Sequence, residues 1–130
     1  MRFLLDTNAV IDAFEGSPEV TNRMMAHAGA LATSTLCLVE LSRGVHRDRA
    51  LAAARRQRLD VLLSGLSIFP FDRDAVEAYD AIIAALGFVR SRDFDRMVTA
   101  HALSTGSTLI TNNIADFADI PGLSVENWSI

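Results

Sequence analysis

The segment Met1-Arg2-Phe3-Leu4-Leu5-Asp6-Thr7-Asn8 decides how the rest of the chain is read. Arg2–Leu5 is a short apolar run. Asp6-Thr7-Asn8 ends it with side-chain oxygens suited to the free amides at a helix start. The reading is a buried strand that runs straight into a capped helix. The same unit then recurs. Ala30–Ser34 reads as a second strand, after which Thr35 can cap a helix to about His46, with Leu38, Leu41 and Val45 at core spacing. Ser67–Phe69 is a third strand closed by Pro70, Thr108–Thr111 a fourth and Leu123–Val125 a fifth. Helices are predicted over Ala9–Phe14 and over Glu19–Ala28, the second with Pro18 in its first turn. A charged helix over Asp48–Leu63 carries Leu51, Leu59, Leu62 and Leu63 as its apolar positions. The next starts at Asp72 or Asp74, shows Val76, Tyr79, Ile82, Ile83 and Leu86 on one face, and stops at Gly87. The last runs from Phe94 to about Thr105, capped by Asp93 and stopped by Gly106.

Short strands alternating with helices imply an α/β fold in three layers. Its centre is a parallel sheet of four to five short strands, with helices on both faces. No linker, repeat or low-complexity stretch interrupts the 130 residues, so residues 1–130 read as one domain.

Composition removes several function classes. Half the chain is apolar, enough for a real core. No apolar run approaches the roughly 20 residues of a membrane span, and the N-terminus turns acidic too early for a signal peptide, so a cytoplasmic protein is the expectation. The single cysteine, Cys37, sits among Leu36, Leu38 and Val39 and reads as a small core residue. It excludes an internal disulfide and a cysteine-rich zinc site. The formal charge is −4. All twelve basic residues are arginine, and six fall in one stretch: Arg43, Arg47, Arg49, Arg55, Arg56 and Arg58. That stretch is either a solvated helix face or a phosphate- or carboxylate-binding one.

In open parallel sheets ligands bind at the carboxyl ends of the strands. Asp6 follows the first strand directly and lies at that edge. Asn113 and Asp116 follow the fourth. Asp95 is in the first turn of the helix that feeds the fourth strand, which returns its start to the same edge. Glu40 is early in the helix after the second strand. Acids from four distant segments thus approach one place, where they repel unless something neutralises them. A hard divalent cation does so with oxygen ligands, and such a site serves phosphodiester or phosphoryl hydrolysis. The histidines, His27, His46 and His101, form no zinc pattern. Each acid also has a structural explanation: Asp6 as a helix cap, Asp95 as a first-turn charge or a partner of Arg92, Glu40 as a solvated position. Asp93 reads as a cap, Asp116 and Asp119 as loop acids, and Asp12, Glu15 and Glu19 as solvent-facing.

The motifs around these acids resemble the PIN-domain ribonucleases, and more narrowly the VapC-type toxins of toxin–antitoxin pairs. The matching pieces are Leu5-Asp6-Thr7-Asn8, Val39-Glu40-Leu41 with Gly44, Asp95-Arg96-Met97-Val98-Thr99-Ala100-His101-Ala102, Leu109-Ile110-Thr111-Asn112-Asn113 with Phe117, and Pro121-Gly122-Leu123 through Glu126-Asn127-Trp128. They run nearly end to end. The resemblance implies an endoribonuclease dependent on Mg²⁺ or Mn²⁺ that hydrolyses RNA with metal-activated water. Asp6, Glu40 and Asp95 match the family's three central acids and its metal ligands. Asn113 and Asp116 compete for a fourth position, and Asp116 is carried as the fourth catalytic acid. Asn8, Thr111 and Asn113 match supporting polar residues. Where the family usually has Ile-Ala-Ala, this chain has Val98-Thr99-Ala100. The implied partners are RNA, a second copy of the chain in a homodimer, and a VapB-type antitoxin that carries operator DNA. The arginine-rich stretch then faces RNA phosphates or acidic antitoxin residues.

Three other readings compete. A phosphatase-type phosphoryl hydrolase wants a second Asp where Asn8 stands, and commonly a site lysine, which the chain lacks. A receiver domain also needs a lysine. A catalytically weak or inactive module would keep the fold without the chemistry.

Overall fold

The computed structural model describes residues 1–130. Five strands form one sheet: β1 Arg2–Leu5, β2 Leu31–Ser34, β3 Ser67–Phe69, β4 Ser107–Ile110 and β5 Val125–Glu126. Their order is β3-β2-β1-β4-β5, and every pairing is parallel. Six α-helices connect them: α1 Thr7–Phe14, α2 Pro18–Ala26, α3 Thr35–Val45, α4 Ala52–Leu63, α5 Arg73–Leu86 and α6 Asp93–Ser104. No helix is long and apolar enough to cross a membrane.

The period of two along β1 sorts its side chains between two cores. Phe3 and Leu5 join Val10 of α1, Val20 of α2, Leu41 and Val45 of α3 and Leu59 of α4 on one face. Leu4 points the other way, against Val98 and Ala102 of α6 and Leu109 of β4. Both faces are covered, as a parallel sheet requires. Trp128 closes the first core beside Phe3 and His27. Cys37 is fully buried in the second.

The chain builds β2 and β3 on one side of β1 and then crosses to place β4 on the other. The strand order therefore reverses between β1 and β4. Neighbouring connections diverge there and leave a crevice at the carboxyl edge.

Local corrections have local causes. Ser34, not Thr35, caps α3, its hydroxyl accepting from the Leu36 amide. Thr35 instead accepts from the Phe71 amide, 36 residues away. Residues Arg49–Leu51 form a 3-10 turn capped by Asp48, so the buried stripe of α4 begins later and Leu51 stays 45% exposed. On α5 the face against α6 is Ala78, Tyr79 and Ile82, so Val76, turned away from that stripe, is 50% exposed. A 3-10 turn at Arg90–Arg92 runs directly into α6 and puts Arg92 at the cap position. Asp93, freed from capping, accepts a hydrogen bond from the Tyr79 hydroxyl. The fifth strand is displaced from Leu123–Val125 to Val125–Glu126.

Candidate active site

Asp6 sits where β1 becomes α1, and the two readings of it coexist. As the cap residue it accepts from the Thr7 amide at 2.8 Å through Oδ1. Its other oxygen, Oδ2, accepts from the Thr111 hydroxyl at 3.1 Å. The Asp6 amide donates to the Ile110 carbonyl of β4 at 2.9 Å, so the strand reversal itself places this carboxylate. It is only 6% exposed.

Thr111 and Asn8 support the carboxylate from behind the pocket lining and from within it, respectively. The Thr111 hydroxyl accepts from Asn8 Nδ2 at 3.4 Å and from the Asn113 amide at 3.2 Å. Asn8 Oδ1 accepts from the Asn112 amide at 3.1 Å. Asp12, expected in solvent, accepts from Asn112 Nδ2 at 2.7 Å. These contacts fasten the segment after β4 to α1.

Glu40 reaches the same place from α3. Its Oε1 accepts from the Thr7 hydroxyl at 2.6 Å. Thr7 therefore holds two acids at once, Asp6 with its amide and Glu40 with its hydroxyl. Sequence reasoning did not single it out, because nothing local marks a contact to a residue 33 positions away. Asp95 completes the group from the first turn of α6. A pocket of about 240 Å³ is lined by Asp6, Thr7, Asn8, Glu40, Asp95 and Asn113, with Ile11 and Phe94 as apolar walls. Asp116 does not line it. Asp116 lies exposed in a 3-10 turn, Ile114–Phe117, yet close enough for its charge to raise the pKa of Asp95.

The electrostatics follow from this crowding. Burial pushes the Asp6 carboxyl from 3.8 up to about 6, the hydrogen bonds from Thr7 and Thr111 oppose the shift, and the charges of Asp95 and Glu40 add to it. Asp95 is raised too, first by burial and then by Asp116 and Glu40, against Arg92 and Arg96. Neither arginine lines the pocket. Both turn to Asp119: Arg96 donates through Nη1 and Nη2 at 3.2 and 3.0 Å, and Arg92 lies at 3.8 Å. Asp119 is thus an ion-pair partner rather than a free loop acid, and its pKa is lowered by the Arg96 hydrogen bonds.

The family model of the PIN domain matches residues 3–123. The chain belongs to the PIN domain family. Ribonuclease VapC2 of Rickettsia felis is 31% identical over 134 residues, with 98% of each chain covered. The tRNA(fMet)-specific endonuclease VapC of Salmonella typhimurium is 30% identical over 132 residues, again with 98% of each covered. Among solved structures, the fold is similar to VapBC2 from Rickettsia felis bound to a DNA fragment from their promoter. That match has a TM-score of 0.86 and 30% identity, and covers 98% of this chain and 99% of that one. DNA-bound VapBC from Salmonella typhimurium gives a TM-score of 0.88 at 27% identity, with 98% of both chains covered.

In this PIN domain the donor set fits a hard divalent cation. The pocket presents carboxylates, amide groups and hydroxyls, no sulfur or imidazole, and no basic side chain to neutralise the acids. No three of the acids, histidines and the cysteine stand close enough to enclose an ion alone. Mg²⁺ does not need three, since it takes one or two direct carboxylates and keeps several waters. Asp6 is the most buried of these candidates, and Asp95, Glu40 and Asn113 line the pocket with it.

The arginine-rich stretch divides by role. Arg56 pairs with Asp60 on its own helix. Arg58 donates to the Phe14 carbonyl at 3.0 Å and lies over the Phe14 ring, bracing α4 on α1. Arg47 and Arg55 line a second groove of about 260 Å³ that shares Glu40 and Ile11 with the acidic pocket. His101 is structural: it is buried on α6 with Nδ1 against the Ser34 hydroxyl at 2.8 Å, and burial lowers its pKa.

Proposed function

We propose that this chain is a metal-dependent endoribonuclease, the toxin of a toxin–antitoxin pair. The observation that carries the reading is the convergence of Asp6, Glu40 and Asp95 in one pocket that contains no cationic side chain. Mg²⁺ or Mn²⁺ bound there would activate water and offset charge on the scissile phosphate. The chain's own residues set the geometry. Thr7 and Thr111 hold both oxygens of Asp6, Thr7 fixes Glu40, and the polar segment after β4 forms one wall. Ile11 and Phe94 are apolar walls beside the acids. Asp116 stays outside the lining, and its charge bears on Asp95.

The names of the relatives support the substrate class, being ribonucleases and a tRNA-specific endonuclease. VapBC structures on promoter DNA support an antitoxin partner through which operator DNA is held. A homodimer and a cytoplasmic location complete the proposal. The test is purified chain incubated with transfer RNA and structured messenger RNA, in Mg²⁺ or Mn²⁺ and in EDTA. Internal cleavage that needs the metal and disappears in Asp6→Asn is the expected result. Absence of cleavage in either metal, with a control nuclease active, refutes it and leaves a binding module on the same fold.

A further inference from the structure

Arg96 follows Asp95 directly on α6, yet it takes no part in the acidic pocket. It is only 5% exposed, and both of its terminal nitrogens grip Asp119. Asp119 belongs to the segment after β4, three residues beyond Asp116. On either side of it, Phe117 packs with Val98 and Ala102 of α6, and Ile120 packs with Ala100 and Ile82. These apolar anchors set the depth of the segment but are non-directional. Its start is fastened at Asn112 and Asn113 by Asn8, Asp12 and Thr111. At its far end the directional contact is the Arg96–Asp119 fork, a charge-assisted pair with two parallel bonds. The turn Ile114–Phe117, which carries Asp116, lies between the two fastenings.

We infer that Arg96 and Asp119 form a positioning clamp that holds the Asp116 turn against the Asp95 end of α6 and keeps two guanidiniums out of the acidic pocket. Both effects follow from one geometry. The planar fork fixes the orientation of Asp119, and with it the turn, relative to the residue next to Asp95. The same bonds commit the charge of Arg96, and draw that of Arg92, to Asp119. Without Asp119, those cations would be free to turn toward Asp95 and Asp116, where a metal ion would have to compete with them. The inference rests on the proposal that Asp95 belongs to a divalent-metal site.

The experiment measures Mn²⁺ binding by calorimetry and amide hydrogen exchange over residues 112–118 in the intact chain. Asp119→Asn strands a buried guanidinium and can lose the fold. Arg96→Met removes the charge while keeping an unbranched side chain of similar length, and should stay folded. The expected result is Mn²⁺ affinity weakened about tenfold in either variant that folds, with faster exchange at 112–118. The R96M/D119N double variant should be no weaker than the worse single, because both changes break one unit. Arg96→Lys, which keeps charge but not the fork, should not restore affinity. Mn²⁺ affinity within twofold of wild type in folded Arg96→Met overturns the clamp, since a merely structural pair would lower only the melting temperature. Wild-type protein that binds no Mn²⁺ instead sinks the metal-site reading, and the clamp is then judged on exchange alone, where unchanged protection at 112–118 overturns it.

Discussion

Asp6→Asn should make the protein inactive and more stable. In the folded chain the Asp6 carboxyl titrates at about 6, against 3.8 for the free group. Two units at about 1.4 kcal/mol each mean that the ionised form destabilises the fold by about 3 kcal/mol. The sign is that of a raised carboxyl. Stability is fully present below pH 3.8, where Asp6 is protonated folded and unfolded, and is lost as pH rises through about 6. The substituted side chain carries no charge and removes this loss. It keeps the bond from the Thr7 amide, but its own amide group meets a Thr111 hydroxyl that already accepts from Asn8 and Asn113. One weakened hydrogen bond costs about 1 kcal/mol, leaving a net gain of about 2 kcal/mol. For a domain of this size that raises the melting temperature by about 8 °C. The assay is calorimetry at pH 7.5 in EDTA, repeated at pH 4 and with excess Mg²⁺. The gap should close at pH 4, and should narrow in Mg²⁺, because a cation stabilises only the wild type through linkage. A variant that melts at or below wild type at pH 7.5, with the same gap at pH 4, refutes the picture of uncompensated acids.

Two further substitutions separate positioning from packing. Thr7→Val removes the hydroxyl that bonds Glu40 while keeping the amide that bonds Asp6, so cleavage should fall about tenfold in kcat, the equivalent of one hydrogen bond of about 1.4 kcal/mol, with the fold intact by circular dichroism; unchanged kcat would show that Glu40 needs no orientation. Thr99→Val, which replaces the hydroxyl by a methyl of similar size and leaves no cavity, should stabilise, because the Thr99 hydroxyl is fully buried without a partner. An unsatisfied buried hydroxyl costs about 1 kcal/mol or more, so thermal melting should rise by a few degrees, and a fall would reveal a hidden partner.

Much of this protein was legible from local pattern. Strand and helix periods are set by near neighbours, so the alternation of units, their order and the double-sided burial of β1 follow from the residues themselves. So do the carboxyl-edge placement of Asp6 and Asp95 and the buried role of Cys37. Cap residues were less legible, because Ser34 and Thr35 are equally able to cap and only the position of Phe71 decides between them. The exposure of Val76 depends on which stripe of α5 meets α6, and only the packing of Ala78, Tyr79 and Ile82 against Ala100 and Leu103 shows that.

The acidic site named at the outset divides along the same line. Asp6, Glu40 and Asp95 could be picked out as residue types at the right edge of the sheet. Their partners could not. Thr7 meets Glu40 across 33 residues, Thr111 meets Asp6 across 105, and Arg96 meets Asp119 across 23. Such contacts exist only once the strand order β3-β2-β1-β4-β5 has brought the chain ends of β1, β2 and β4 side by side. Residue chemistry chose the acids. The folded geometry chose what holds them, which acid is buried enough to have its pKa raised to about 6, and which arginines are kept away from the pocket.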